Sequence, residues 1–271
     1  MNPYLGSIAG YPIPVFAVVL DVALIIASIV AVRLATLHNI APTNFLDAWL
    51  MTLGAALIGS RLWYGLLHWD EFSQNPLTLI ALWEGGLALP GGQLLGAGAA
   101  VLAARVARAP VRTLLDVCAV GAALAEAIGR LGCIPAGCGA GQPADQLWSW
   151  FPSLVLPDST GATVERFPSQ LAEAVAAAIL FAVLFGALRQ RSAARFPPGI
   201  AAATYLIGSG TARLLLEPFR SDSTYAGAIA IPSLWATVLL AAGGVLLWGV
   251  LRSQSETRAP VHPGARETTH A

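Results

Sequence analysis

PVFAVVLDVALIIASIVAVRLAT (residues 14–36) is an apolar run interrupted internally only by Asp21, Ser28 and Arg33. About 20 apolar residues cross the hydrocarbon of a bilayer, so this stretch reads as a membrane helix. It is too long for the apolar region of a secretion leader, and no basic segment precedes it, so no cleavable leader is expected. The same scale carried along the chain gives seven spans, at roughly 14–36, 45–67, 86–107, 112–130, 170–189, 198–217 and 230–251.

Composition agrees with that reading. The 271 residues are 56% hydrophobic and 11% charged, and mean hydropathy is +0.68. A soluble domain would be nearer a quarter charged. The expected fold is all-α: a polytopic integral membrane protein of about seven helices. One transmembrane domain covers 1–251, with an outer loop at about 131–169 rich in Pro, Gly, Asp and Ser. The polar tail, 252–271, is expected to be disordered. Net charge is zero, which gives no reason to expect nucleic acid. Cys118, Cys133 and Cys138 include no CxxC pair and match no zinc spacing, so no metal site is expected.

Arginine sets the orientation, since all 15 basic residues are Arg. Arg33 ends the first span; Arg105, Arg108 and Arg112 lie between the third and fourth. Arg189, Arg191 and Arg195 lie between the fifth and sixth, and Arg252, Arg258 and Arg266 follow the seventh. All fall on one side, which the positive-inside rule makes the cytoplasm. The N-terminus is then outside and the C-terminus inside. Trp63, Trp69, Trp83, Trp148, Trp150 and Trp235 fall near the outer boundary, as an interfacial belt would.

Arg61, Arg130, Arg166, Arg213 and Arg220 break the rule. All but Arg166 lie near the outer ends of spans two, four and six, and Glu84, Glu126 and Glu217 lie near the same depth. A charge inside the membrane costs about 3 kcal/mol on insertion scales and usually marks function. Ion pairing between helix ends, or snorkelling to the headgroups, would also account for these residues. The alternative is an anion site in the outer leaflet, where guanidinium can grip phosphate oxygens in pairs.

Two further segments carry chemistry. Arg213, Glu217 and Arg220 are spaced i, i+4, i+7, on one helical face, and Pro218 should kink or end that helix. Glu217 is placed to hold both guanidinium groups; a self-contained ladder of ion pairs has the same spacing. GGLALPGGQLLGAG (Gly85 to Gly98) has six glycines in fourteen residues. Small residues in membranes serve tight helix packing, and glycine pairs around Pro90 also suit a loop shaped against a ligand. Cys133 and Cys138 read as a structural disulfide, as two free small residues or, least well, as a redox pair. Cys118 reads as packing. His68 is the one histidine at the outer boundary.

In order along the chain, YPIPVF (Tyr11 to Phe16), GSRLWYGL (Gly59 to Leu66), WEGGLALPGG (Trp83 to Gly92), GRLGCIPAGCGAG (Gly129 to Gly141), RFPSQLAEA (Arg166 to Ala174) and RLLLEPFRSD (Arg213 to Asp222) resemble segments of the prolipoprotein diacylglyceryl transferase family. The fourth is similar to the family's GRxGNFxNGExxG signature, and closer to a variant reading GRxGCFxAGCCxG. The resemblance implies an enzyme of lipoprotein biosynthesis in the bacterial inner membrane, working at the outer leaflet without a cofactor. It would move the diacylglyceryl group of phosphatidylglycerol onto the lipobox Cys thiol of a prolipoprotein signal peptide, and glycerol phosphate would leave.

By the resemblance, Arg130 and Arg213 match the family's essential arginines and are the expected catalytic residues. Glu217 and Arg220 match their neighbours, and Gly85, Gly91 and Gly141 match family glycines. With Glu126 and Arg61, these make the expected headgroup-binding set. The chain departs from the family at Pro90, where the family has His, and at Val18 and Ser209, where it has Tyr. Glu84, Glu126 and His68 are candidates to replace the base, and spacing does not select among them. A non-catalytic relative that binds anionic lipid or prolipoprotein is the alternative function. A transporter ranks below both, because the charges cluster at one boundary and no internal repeat is visible.

Overall fold

The opening apolar run folds into helix α1 (Val15–Leu37). In this computed structural model the described residues are 3–258, apart from 9, 82–84, 149, 159, 191–195 and 227. The chain continues through α2 (Pro42–Leu67), the short α3 (Trp69–Phe72), α4 (Leu89–Val106), α5 (Val111–Ala136), α6 (Ser169–Arg189), α7 (Ile200–Leu216) and α8 (Ile231–Arg258). Among the described residues, five helices are long and apolar enough to cross a membrane: α1, α2, α5, α6 and the part of α8 from Ile231 to Ser255. α4 and α7 form where the third and sixth spans were expected, and are shorter, at 18 and 17 residues.

Small side chains let the helices approach closely. On α1, Ala23, Ala27, Ala31 and Ala35 recur at every fourth position, and each is fully buried. This ladder lies on the helix that packs against α5. On α2 and α4, Gly59 and Gly91 meet backbone to backbone, and a Cβ on either would collide with the other's carbonyl. Without a hydrophobic drive between helices in lipid, such close packing supplies the cohesion. The opposite faces carry exposed Ile25, Ile29, Leu50, Ile58, Ile179 and Val183. An apolar exterior over a packed interior is what a multi-pass membrane protein presents.

α5 is the most enclosed of the long apolar helices and packs against α1, α4, α6 and α7. One buried charge on it has a structural task. Asp116 accepts the backbone N–H groups of Gly199 at 2.7 Å and Ala202 at 2.8 Å, at the start of α7. The first N–H groups of a helix have no partner within it, so α5 supplies the cap that α7 lacks locally.

The fold is mostly helical, in keeping with the all-α reading, and three details differ from what was expected. The apolar helix was read as running out near Arg130, but α5 continues to Ala136 and carries the GCIPA segment as helix. Pro135 is tolerated in its last turn, and Gly137, at φ 71°, ends it in the left-handed conformation that glycine adopts freely. The all-α reading also passed over three short antiparallel hairpins: β1 (Tyr4–Ile8) with β2 (Tyr11–Pro14), β3 (Leu154–Pro157) with β4 (Thr163–Arg166), and β5 (Tyr225–Ala226) with β6 (Ile229–Ala230). Strands of two to five residues are invisible to a reading scaled to 20-residue spans. α8 runs past the expected end at Leu251, and the tail beyond Arg258 lies outside the described residues.

Candidate active site

Three segments far apart in sequence are stitched together beyond the end of α5. The Ser169 hydroxyl, at the start of α6, donates to the Gly139 carbonyl. The Phe167 N–H donates to the Gln142 carbonyl at 2.9 Å, and the Gln142 N–H to the Phe219 carbonyl at 2.8 Å. The Ser221 N–H donates to the Ala140 carbonyl at 2.9 Å. Cys133 and Cys138 form a disulfide that ties the end of α5 to the same glycine loop. Gly139 and Gly141 are required here, because a side chain on Gly141 would strike the Phe167 carbonyl and one on Gly139 would press on the Arg220 guanidinium.

At the junction lies Glu173, in the second turn of α6. Its Oε1 accepts from Arg213 Nη1 and Arg220 Nη1, each at 2.8 Å. Arg130 Nη1 stands 2.7 Å from its Oε2, an ion pair not aligned as a hydrogen bond. Arg213 also reaches Glu217 at 2.9 Å, and Arg220 reaches Asp222 at 2.7 Å. The Gly139 N–H holds the other Asp222 oxygen at 2.8 Å. Three guanidinium groups are thus matched by three carboxylates. Burial works against the charge on Arg220, but Glu173 and Asp222 outweigh it and hold the group above its ordinary pKa. The Arg130 and Arg213 side chains are 22% and 19% exposed, against 8% for Arg220 and Glu173, so those two offer the open edge of the cluster.

Arg130, Arg213, Arg220 and Glu217 therefore come together. Glu217 does not hold both arginines, though. α7 ends at Leu216, Pro218 sits in a following 3₁₀ turn, and Arg220 is extended beyond it, so Arg220 turns to Glu173. Glu173 is the residue that sequence reasoning missed. It is an isolated acid at the head of an apolar helix, and the cost argument applied to Arg130 would have found it.

A second polar network adjoins the first. Glu126 lies one turn before Arg130 on α5. Its Oε1 accepts from the Tyr205 hydroxyl and, at 3.3 Å, from Gln93 Nε2. Gln93 also donates to the Tyr205 oxygen at 3.2 Å and accepts from Trp235 Nε1 at 2.7 Å. Helices α4, α5, α7 and α8 each supply one member. Tyr205 gave no sequence signal, and Trp235 was read as part of an interfacial belt, whereas its indole N–H donates into this network.

Other expected site residues lie elsewhere. Arg61 was placed among the headgroup ligands, but all five of its N–H donors go to backbone carbonyls: Leu79, Gly85, Gly86, Thr78 and Ala81. It pins the segment leading into α4. Gly85 serves as one of those acceptors, and Gly91 is the α2–α4 contact. Gly141 pairs as a β-bridge with Arg220, inside the junction. Arg166 is buried in the segment between α5 and α6, against the Gly141 carbonyl and Asp158. Pro90 occupies the first turn of α4, and His68 stacks on Tyr64. Trp83 and Glu84 lie outside the described residues.

Fold and site together define a multi-pass helical membrane protein built around a buried arginine–carboxylate centre. Residues 3–249 match the family model described as prolipoprotein diacylglyceryl transferase. The chain is 32% identical over 212 residues to the phosphatidylglycerol–prolipoprotein diacylglyceryl transferase of Parasynechococcus marenigrum, covering 74% of this chain and 76% of that one. It is 29% identical over 269 residues to the same-named protein of Synechococcus elongatus, covering 97% and 93%. A Streptococcus agalactiae relative of that name is 27% identical over 247 residues, covering 91% and 95%. The chain belongs to the prolipoprotein diacylglyceryl transferase family.

Proposed function

We propose that this protein is a phosphatidylglycerol–prolipoprotein diacylglyceryl transferase of the bacterial inner membrane. The observation that carries the reading is the junction itself, where Arg130, Arg213 and Arg220, from two segments matching the family's motifs, surround one carboxylate supplied by a third. The family match and the names of the relatives support it.

In this reading the chain is one transmembrane domain of seven spans, with α4 and α7 as the third and sixth. The N-terminus is outside, and the Arg-rich ends of the helices face the cytoplasm. The junction then lies at the outer leaflet, where phosphatidylglycerol and the signal peptide of a secreted preprotein both arrive. Arg130 and Arg213 bind the lipid phosphate. The lipobox thiolate attacks the glyceryl carbon, an S–C bond forms, and the C–O bond to phosphate breaks with its electron pair going to the phosphate oxygen. Charge grows on that oxygen, and guanidinium groups already oriented by Glu173 and Glu217 stabilise it without reorganising. Arg220, clamped between Glu173 and Asp222, fixes Glu173 rather than meeting the lipid.

Expression in a strain depleted of its own transferase, with labelled lipid and a model prolipoprotein, tests the reading. Label should appear on the lipoprotein. Arg130→Ala and Arg213→Ala should each lower the rate by about 10²–10³, the scale of one lost oxyanion donor. Wild-type protein that expresses well and transfers nothing would sink the enzyme. If phosphatidylglycerol nonetheless co-purified with it, the second reading, a lipid-binding relative without turnover, would stand; Pro90 in place of the family's His is the observation favouring it.

A further inference from the structure

The geometry points to Glu126 as the proton acceptor for the attacking thiol, an inference that rests on the transfer reaction proposed above. A free thiol has a pKa of about 8.5, so only a small fraction is thiolate at neutral pH. A base beside the arginine cluster would raise that fraction where it is needed.

Among the described residues, four carboxylates stand at or beside the cluster, and their partners separate them. Glu173 touches three guanidinium groups, Glu217 touches Arg213, and Asp222 touches Arg220. Ion pairing with guanidinium weakens a carboxylate as a base, and neutral surroundings do the opposite. Glu126 alone is held by neutral donors, the Tyr205 hydroxyl and the Gln93 amide. Both bonds go to Oε1, which leaves Oε2 uncommitted among the described residues. The residue is only partly buried. Arg130 is one turn away, and Arg130 and Glu173 both lie close enough to act on the charge of Glu126. His68 is stacked on Tyr64, with its Nδ1 3.1 Å from the Tyr64 carbonyl, and takes no part in either network.

The step is balanced. The cysteine S–H proton moves to Glu126 Oε2 as sulfur attacks the glyceryl carbon. The C–O bond breaks, and glycerol phosphate leaves with the electron pair. The neutral carboxyl stays hydrogen-bonded to Tyr205 and Gln93, then releases its proton to water before the next turnover. Tyr205, Gln93 and Trp235 position the carboxylate and do not touch substrate.

The test uses the full-length protein in detergent, with phosphatidylglycerol vesicles and a lipobox peptide. Glu126→Gln keeps the shape and both hydrogen-bond partners. Its kcat at pH 7 should fall by about 10²–10⁴, the scale of general base catalysis, with KM for the lipid nearly unchanged. The defect should shrink above about pH 9, where the peptide thiol ionises unaided. Glu126→His should recover much of the rate, with a profile rising through the imidazole range near pH 6.5. Wild type active with Glu126→Gln within about threefold at pH 7, or a loss that is the same at every pH, overturns the inference alone. A folded Glu126→His enzyme that stays about 10²-fold or more below wild type at pH 7 and above also counts against it, whether or not Glu126→Gln folds. Wild type inactive at every pH refutes the transferase reading, and the inference falls with it.

Discussion

Replacing Glu173 with Gln should damage the protein more than any other single charge removal at the site. The side chain is 8% exposed and pairs with Arg130, Arg213 and Arg220. At an effective dielectric of 20, one ion pair at 4 Å is worth about 4 kcal/mol of Coulomb energy. Desolvation and the mutual repulsion of the three cations offset much of the sum. The surviving cost is that of leaving buried cations without their shared anion, about 3–5 kcal/mol by analogy with broken buried pairs. Gln preserves the shape, so lost packing contributes little. On the scaling for soluble domains of similar size, the thermal midpoint should drop by roughly 6–20 °C. Glu217→Gln removes a carboxylate that reaches Arg213 alone, and should cost less than half as much. Thermal unfolding of both variants in one detergent, followed by the burial of Cys118 against a thiol dye, gives the comparison; Cys118 is a buried free cysteine. A Glu173→Gln loss below about 1 kcal/mol, the value of an exposed surface pair, would refute Glu173 as the organiser of the junction.

Arg61→Met keeps the apolar stem and removes five donors from the carbonyls of Thr78, Leu79, Ala81, Gly85 and Gly86, in the segment leading into α4. It should cost more than about 3 kcal/mol and expose that segment to limited proteolysis; a selective rise in KM for lipid with normal stability would return Arg61 to the binding site. Asp158 is held below the ordinary carboxylate range, chiefly by the Thr160 hydroxyl, with help from the Thr160 and Ala162 N–H groups and Arg166. A depressed folded value means its contribution is complete above the unfolded range, near 3.9, and is lost as pH falls through the lower folded value. The β3–β4 hairpin should therefore show constant hydrogen-exchange protection between pH 5 and 7 and lose it below about pH 4. Asp158→Asn should lack that acid step, and an unchanged step would assign it to another group.

The charges that the sequence made conspicuous were not all alike. An Arg in an apolar run must have partners, and that rule picks out Arg61 as surely as Arg130. What it cannot distinguish is a guanidinium satisfied by carbonyls from one satisfied by carboxylates, because backbone acceptors leave no mark in the residue string. Glu173 obeyed the same rule and was passed over, because it stands where a span was expected to begin and acid at a helix head is ordinary. The pairing of Arg220 with Glu173 rather than Glu217 depends on where α7 stops. Pro218 announced the stop but not the direction of the chain after it. The helices themselves were legible because their apolar length is dictated by the bilayer. The hairpins and the extension of α5 to Ala136 answer to local hydrogen bonding, which has no such length scale. The Gln93–Glu126–Tyr205–Trp235 network needed coordinates, because only one of its members is a charge.

The Glu173 centre also bears on how the protein is made. Arg130 leaves the ribosome before its carboxylate does, and Glu173 in turn precedes Arg213 and Arg220. Until α6 docks against α5, Arg130 lacks the carboxylate it pairs with and has only Glu126, one turn away, to offset its insertion cost. Until α7 arrives, Glu173 has one partner of three. The centre is thus complete only when the last third of the chain is correctly placed, and a chain stalled or threaded wrongly is left with unneutralised charge. The contacts that orient the arginines are therefore also a late check on the assembly of the helices.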